Sequence, residues 1–214
     1  MISLQIVSVV TVEFQGVGKR FGERTVLAGA NGELRPGRVL VIAGPNGSGK
    51  STLMSILAGL VRPSRGAVVY RRDGAEMPRG QWFGCLGLAA PDMAVYDELS
   101  ALENLRFFAR VRGLACEETA HVRLLEELGL PEREQRRPVR TYSSGMRQRA
   151  KLAQAVLHEP AVLYLDEPSS NLDAAGHQAV AELVARCRAR AAVAVATNDL
   201  REAAWGDARI ELGR

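Results

Sequence analysis

A chain of 214 residues is long enough to form one domain with a sizeable core. Its 47% hydrophobic, 24% charged and 5% aromatic residues exclude a disordered, collagen-like or disulfide-stapled protein. The 28 basic residues against 24 acidic ones leave a net charge of +4, too diffuse to argue for a nucleic-acid partner, and none is expected.

The opening residues Met1 to Ile6 alternate like a strand, with no basic region ahead of an apolar block. No signal peptide is expected, and a cytoplasmic location is. Apolar β-type stretches follow at about Ile6 to Phe14 and Thr25 to Leu34, and a compact run, Val39 to Ala43, ends in glycines. Ser51 to Leu60 has helical spacing at Leu53, Ile56, Leu57 and Leu60 and stops before Pro63. Ala67 to Tyr70 reads as a strand, and the polar stretch Arg71 to Gly80, with its glycine and proline, as a loop.

Two helices are predicted next, one from Ala101 to Arg112 and one carrying Val122, Leu125 and Leu128, ended by Gly129 and Pro131. A third, from about Ser143 to His158, sets Met146, Ala150, Ala153 and Leu157 against a face with Arg147, Lys151, Gln154 and His158. The chain returns to β at Ala161 to Leu165, to a helix striped by Val180, Leu183, Val184 and Cys187, and to β at Ala191 to Thr197. Strands alternating with helices predict an α/β fold: a mainly parallel sheet with helices on both faces, a strand-rich opening part and a small helical lobe. The apolar runs Val39 to Ala43 and Ala191 to Ala196 fall far short of the roughly 18 residues a membrane-spanning helix needs. Cys85, Cys116 and Cys187 are odd in number and widely spaced, which fits neither a disulfide framework nor a zinc site.

The strongest chemical signal is Gly44-Pro45-Asn46-Gly47-Ser48-Gly49-Lys50-Ser51, followed by Thr52. It is a complete G-x-x-x-x-G-K-S phosphate loop lying between a predicted strand and a predicted helix. Glycines let backbone N–H groups close around phosphate oxygens, and the helix presents its positive end. Lys50 is expected to reach the β- and γ-phosphates and the Ser51 hydroxyl to ligate Mg²⁺. A merely glycine-rich turn is the bland alternative.

Asp166-Glu167 closes the apolar strand Val162 to Leu165, where an acidic pair is expected to meet the phosphate loop from the neighbouring strand. Asp166 would hold Mg²⁺ and Glu167 polarise the attacking water. The plainer reading is an acidic cap on the next helix. These two motifs fit kinases, GTPases and many ATPases alike.

Tyr142-Ser143-Ser144-Gly145-Met146-Arg147-Gln148-Arg149, at a helix start, resembles the signature sequence of ATP-binding cassette (ABC) ATPases, Leu-Ser-Gly-Gly-Gln. Ser143 and Gly145 match it, and Ser144 and Met146 depart from it. Pro168-Ser169-Ser170-Asn171-Leu172-Asp173 is similar to the D-loop of the same family, and Phe21 stands at the family's adenine-stacking position. The resemblance spans about Val12 to Ala203.

Membership implies a P-loop NTPase of the ABC type with an N-terminal antiparallel β part. It implies one ATP-binding domain over 1–214, with a RecA-like core at about 1–85 and 159–214 and a helical lobe at about 86–158. It further implies ATP and Mg²⁺ as ligands and a head-to-tail pair of subunits. In such a pair Ser143, Ser144 and Gly145 of one chain close over nucleotide held by the other.

Two departures bear on the activity. Where the family has the glutamine of its Q-loop, this chain reads Ala90-Pro91-Asp92, and Asp92 is either a ligand to Mg²⁺ through water or a solvated turn residue. The family's switch histidine is replaced by Asn198, which donates one hydrogen bond but cannot become a cation, so hydrolysis is expected to be slower.

A chain of this length holds little beyond the nucleotide-binding domain, so a separate transmembrane permease is implied, with the chain peripheral on the inner membrane face. The segment Tyr96 to Phe107 is similar to that of exporter ATPases, including the heme exporter ATPase of cytochrome c maturation. Heme, lipid, drug or polysaccharide is a candidate cargo. The alternatives are a regulatory nucleotide-binding subunit of weak turnover and a soluble ABC protein outside transport.

Overall fold

The computed structural model describes residues 8–213, so the reading of Met1 to Ile6 lies outside the described residues. The chain opens with β1 (Val10–Phe21) and β2 (Arg24–Leu34), an antiparallel hairpin turning at Gly22. β3 (Val39–Ala43) and α1 (Lys50–Leu57) follow, and β4 (Arg65–Arg72) returns antiparallel to β1 with Tyr70 opposite Val12.

β5 (Ala75–Glu76) folds back on β4 inside the stretch expected to be a loop. The reason is the pair Asp73-Gly74, both at positive φ (51° and 85°), which makes a tight hairpin where composition suggested only irregular chain. This first sheet has the order β2-β1-β4-β5.

After a one-turn helix α2 (Trp82–Cys85) comes β6 (Leu86–Ala89), then the helices α3 (Ala101–Val111), α4 (Glu118–Glu127), α5 (Glu132–Gln135) and α6 (Ser144–Val156). The remainder alternates: β7 (Val162–Asp166), α7 (Ala174–Arg188), β8 (Ala192–Thr197), α8 (Leu200–Ala203) and β9 (Ala208–Glu211). The second sheet is wholly parallel, in the order β6-β7-β8-β3-β9.

Every residue of β3, β7 and β8 is buried, which is why these strands read as unbroken apolar runs. Successive side chains point to opposite faces. Val39, Val41, Leu163, Leu165, Val193 and Val195 enter one core with α3, α4, α6 and α7. Leu40, Ile42, Val162, Tyr164 and Ala194 enter another, shared with α1 and the antiparallel sheet. Each fully buried Val, Leu or Ile contributes roughly 1.5–3 kcal/mol, so both faces of the sheet are held.

The expected division between core and helical lobe at residues 85 and 86 falls at the start of β6. That strand pairs with β7, Leu86 opposite Val162, and so belongs to the sheet. Helix α6 places Ala150, Ala153, Ala155 and Val156 in the same core as the sheet's Val39 and Leu163. Glycine at 87 permits this, because a side chain there would collide with the Ala155 carbonyl. Helix α3 begins with a reciprocal cap: Ser100 Oγ accepts from the Glu103 N–H at 3.2 Å, and the Ser100 N–H donates to Glu103 Oε2 at 2.8 Å. Cys85 and Cys187 are buried, Cys116 is exposed and all three are free. Among the described residues no helix is long and apolar enough to cross a membrane.

Candidate nucleotide site

The C-terminal ends of β3, β8 and β7 converge on one edge of the parallel sheet, Ala43 opposite Thr197 and Asp166 opposite Ala196. In open α/β sheets this edge is where ligands bind. β7 is not the direct neighbour of β3, as the sequence reading supposed. β8 lies between them, so the acidic pair reaches the phosphate loop across one intervening strand.

Residues 44–49 leave β3 and turn into α1. Gly49 has φ +100°, and a Cβ there would press on the Leu27 side chain and the Val26 carbonyl of β2. α1 has no side-chain cap, so its first N–H groups remain available to an anion. Lys50 is 5% exposed, and its ammonium donates to the carbonyls of Gly44 (2.9 Å) and Pro45 (3.3 Å) and stands 3.4 Å from Glu167 Oε1.

Asp166 is 1% exposed, and its Oδ1 has no hydrogen-bond partner. Burial pushes its carboxyl above the usual carboxylate range, while the nearby Ser51 hydroxyl and the Lys50 charge pull the other way. Asp92 adds a like charge, so the turn after β6 brings that residue toward the acidic pair. Glu167 is also raised, by burial first, with Lys50 opposing. Its backbone is left-handed (φ +48°) and its N–H is held by the Ala196 carbonyl at 2.8 Å.

Asn198, exposed at the tip of β8, donates from Nδ2 to Asn46 Oδ1 at 2.9 Å. The cleft in front of the loop is walled by Asn46, Gly47, Gly49, Lys50, Ser51, Thr52 and Glu167, joined by Arg24 and Val26 of β2. Gly44, Pro45 and Asn198 line a second depression on the other side, with Thr197 and Asp199. Ser48 is half-buried, and its Oγ has no partner.

Ser143 caps α6, its Oγ accepting from the Met146 N–H at 3.2 Å. Ser143 and Ser144 are exposed, whereas Gly145 is buried beneath the Asn171 carbonyl. None of the three walls the phosphate-loop cleft. α6 is instead tied to the segment after Glu167: Gln148 Nε2 donates to the Pro168 carbonyl (2.9 Å) and Arg149 pairs with Asp173 (2.8 Å). Phe21 ends β1 half-exposed, with the Lys19 ammonium 4.9 Å from its ring centroid, and it too stands outside the cleft wall.

Sequence reasoning missed Arg24 and Val26 of β2; the hairpin register sets Arg24 opposite Phe21. It also missed Glu202, a buried carboxylate in α8 that accepts the Ser169 N–H at 2.8 Å and carries no motif of its own.

The model for the family described as ABC transporter matches residues 22–170. The lantibiotic transport ATP-binding protein SrtF of Streptococcus pyogenes is 34% identical over 173 residues, 81% of this chain and 73% of that protein. The doxorubicin resistance ATP-binding protein DrrA of Mycobacterium tuberculosis is 36% identical over 179 residues, 81% of this chain but 54% of its own length. Among solved structures, an ATP-binding subunit of an ABC transporter superposes with a TM-score of 0.81 at 28% identity, over 94% of this chain and 85% of that one. The dimeric bacterial ABC transporter cassette MJ0796 superposes with a TM-score of 0.83 at 24% identity, over 94% of both chains.

Proposed function

Because the chain belongs to the ABC transporter family of ATP-binding proteins, we propose that it is the ATP-hydrolysing subunit of an exporter whose pore is a separate permease. The observation that carries this reading is the Lys50 to Glu167 contact at 3.4 Å, beside Asp166 and Ser51. One phosphate-binding cation and one acidic group share the cleft, with a second carboxylate buried at the adjoining strand end, as phosphoryl transfer to water requires.

In this reading the N–H groups of 46–52 and the Lys50 ammonium hold the β- and γ-phosphates. Glu167 orients and deprotonates the attacking water, and Asn198 donates to a γ-phosphate oxygen. The Ser51 hydroxyl and the unpartnered, buried Asp166 Oδ1 form an oxygen donor set that suits Mg²⁺. When bound, the ion neutralises phosphate charge.

Ser143, Ser144 and Gly145 serve a second copy of the chain. The exposure of Ser143 and Ser144 at a helix start, and the place of all three outside their own cleft, support a head-to-tail pair with two ATP molecules between the subunits. Phe21 stacks on adenine. The chain lies against the inner membrane face through its permease, which docks on the helical lobe. The groove between Leu60, Phe83, Met93 and Phe108 offers an apolar seat there. Relatives named for lantibiotic transport and doxorubicin resistance favour a lantibiotic or drug as cargo over heme, lipid or polysaccharide.

The test is ATP turnover by the purified chain and by its Glu167→Gln variant. Loss of a general base lowers turnover by about 10²-fold or more, with ATP still bound. Unchanged turnover overturns the assignment.

A further inference from the structure

An ionised carboxylate in a dry interior costs several kcal/mol unless donors meet its oxygens. Glu202 is 2% exposed, its Oε2 has no hydrogen-bond partner, and its Oε1 accepts the Ser169 N–H at 2.8 Å. Helix α8 does not need it as a cap, because Asp199 already accepts the Arg201 N–H at 2.8 Å. A leucine would fill the same volume without the desolvation cost. What leucine lacks is an acceptor for Ser169.

Ser169 lies in a turn held open by two non-glycine residues in left-handed conformation, Glu167 (φ +48°) and Asn171 (φ +64°). Such a residue costs roughly 1–2 kcal/mol, and the conformation persists only where the surroundings impose it. The turn's own bonds, Ser170 N–H to Glu167 O (3.1 Å) and Leu172 N–H to Ser169 O (3.1 Å), close it but do not fix it to the elements around it. Three outside ties do: the Glu167 N–H on Ala196 O, Gln148 on Pro168 O, and the Ser169 N–H on Glu202. Glu202 supplies its tie from the element that directly follows Asn198.

We propose that Glu202 is a positioning residue whose carboxylate anchors the Ser169 amide and so fixes the left-handed turn that aims Glu167 at the phosphate loop. The proposal rests on the reading of Glu167 as the group that activates water. Glu202 stands outside the cleft wall, and beyond the like charge it adds near Glu167 and Asp166 its effect passes through the turn.

The experiment compares Glu202→Gln, which keeps an acceptor oxygen at the same reach, with Glu202→Asp, which keeps the charge but withdraws it by one methylene. ATP turnover of the full chain is measured alongside hydrogen exchange of the Ser169 amide without nucleotide. A misplaced catalytic group costs about tenfold or more in kcat, so Glu202→Asp should show that loss, with KM for ATP within about twofold and fast exchange at Ser169. Glu202→Gln should stay within about threefold of wild-type kcat and keep the amide protected. The reverse order, with Asp tolerated and Gln not, assigns the effect to charge and overturns the anchor. So does equal behaviour of the two variants in exchange. A wild-type chain that never hydrolyses ATP overturns the hydrolytic reading instead, a failure the exchange measurement tells apart.

Discussion

The Asn198 side chain donates to Asn46 Oδ1 at 2.9 Å and thereby joins the tip of β8 to the phosphate loop. Asparagine makes this bond as a neutral group, with no charge to offer the phosphate oxygens as they gain negative charge in the transition state. The Asn198→His variant is expected to raise kcat about tenfold near pH 6, where imidazole is cationic, with the gain fading above the ordinary histidine pKa of about 6.5. Steady-state ATP turnover from pH 5.5 to 8.5 decides this. A profile that overlays the wild type would remove Asn198 from the site.

Lys50 is the cation shared by the loop carbonyls and Glu167. Lys50→Ala removes the phosphate contact and leaves Glu167 facing no positive partner, so its carboxyl rises further. Affinity for ATP should fall about 10²-fold, in line with a lost charge-assisted contact of roughly 1.5–3 kcal/mol. Equilibrium binding of a fluorescent ATP analogue measures it, and wild-type affinity would contradict the placement of phosphate at this loop.

At Gly145 a Cβ would stand 2.8 Å from the Asn171 carbonyl. Gly145→Ala therefore pushes α6 away from the turn after Glu167 while leaving the phosphate-loop cleft intact. Turnover is expected to drop about tenfold with nucleotide affinity unchanged, because the damage falls on the face offered to the second subunit and on the turn behind Glu167, which α6 holds through Gln148. If affinity and turnover fall together, the glycine serves the local fold and not the pairing of chains.

His158 has its imidazole pushed down to about 4, by burial first and the Arg112 charge second, against its hydrogen bond to the Leu86 carbonyl. A histidine depressed in the folded state binds protons less readily than in the unfolded chain. Its contribution is thus intact above about pH 6.5 and is lost as pH falls toward 4. The His158→Gln variant keeps a donor for Leu86 without this proton linkage. Its Tm should fall less between pH 7 and 5, by about 2–4 °C per kcal/mol relieved. Equal Tm losses in both chains would mean that the ring is not charged on unfolding in that window.

Much of the fold and site was legible because it is local. Residues 44–51 encode their own loop, with glycines where φ is positive and a strand and helix on either side. The runs in β3, β7 and β8 announce strands buried on both faces, and the spacing of Leu102, Leu105 and Ala109 announces α3. The two-residue β5 escaped because a tight turn at Asp73-Gly74 resembles loop composition.

Strand order lay beyond local reading. Nothing in the run Val162 to Asp166 says that β8 will separate it from β3, since order depends on how the helices cover the two faces. That order alone sets Lys50, Glu167 and Asn198 on one sheet edge. It also brings Glu202 onto Ser169, 33 positions away in sequence. The amino-acid order specified which chemistry each segment carries, because motif and periodicity act over a few neighbours. Which of those segments meet was decided by the sheet, because long-range burial and hydrogen bonding exist only once the chain has closed on itself.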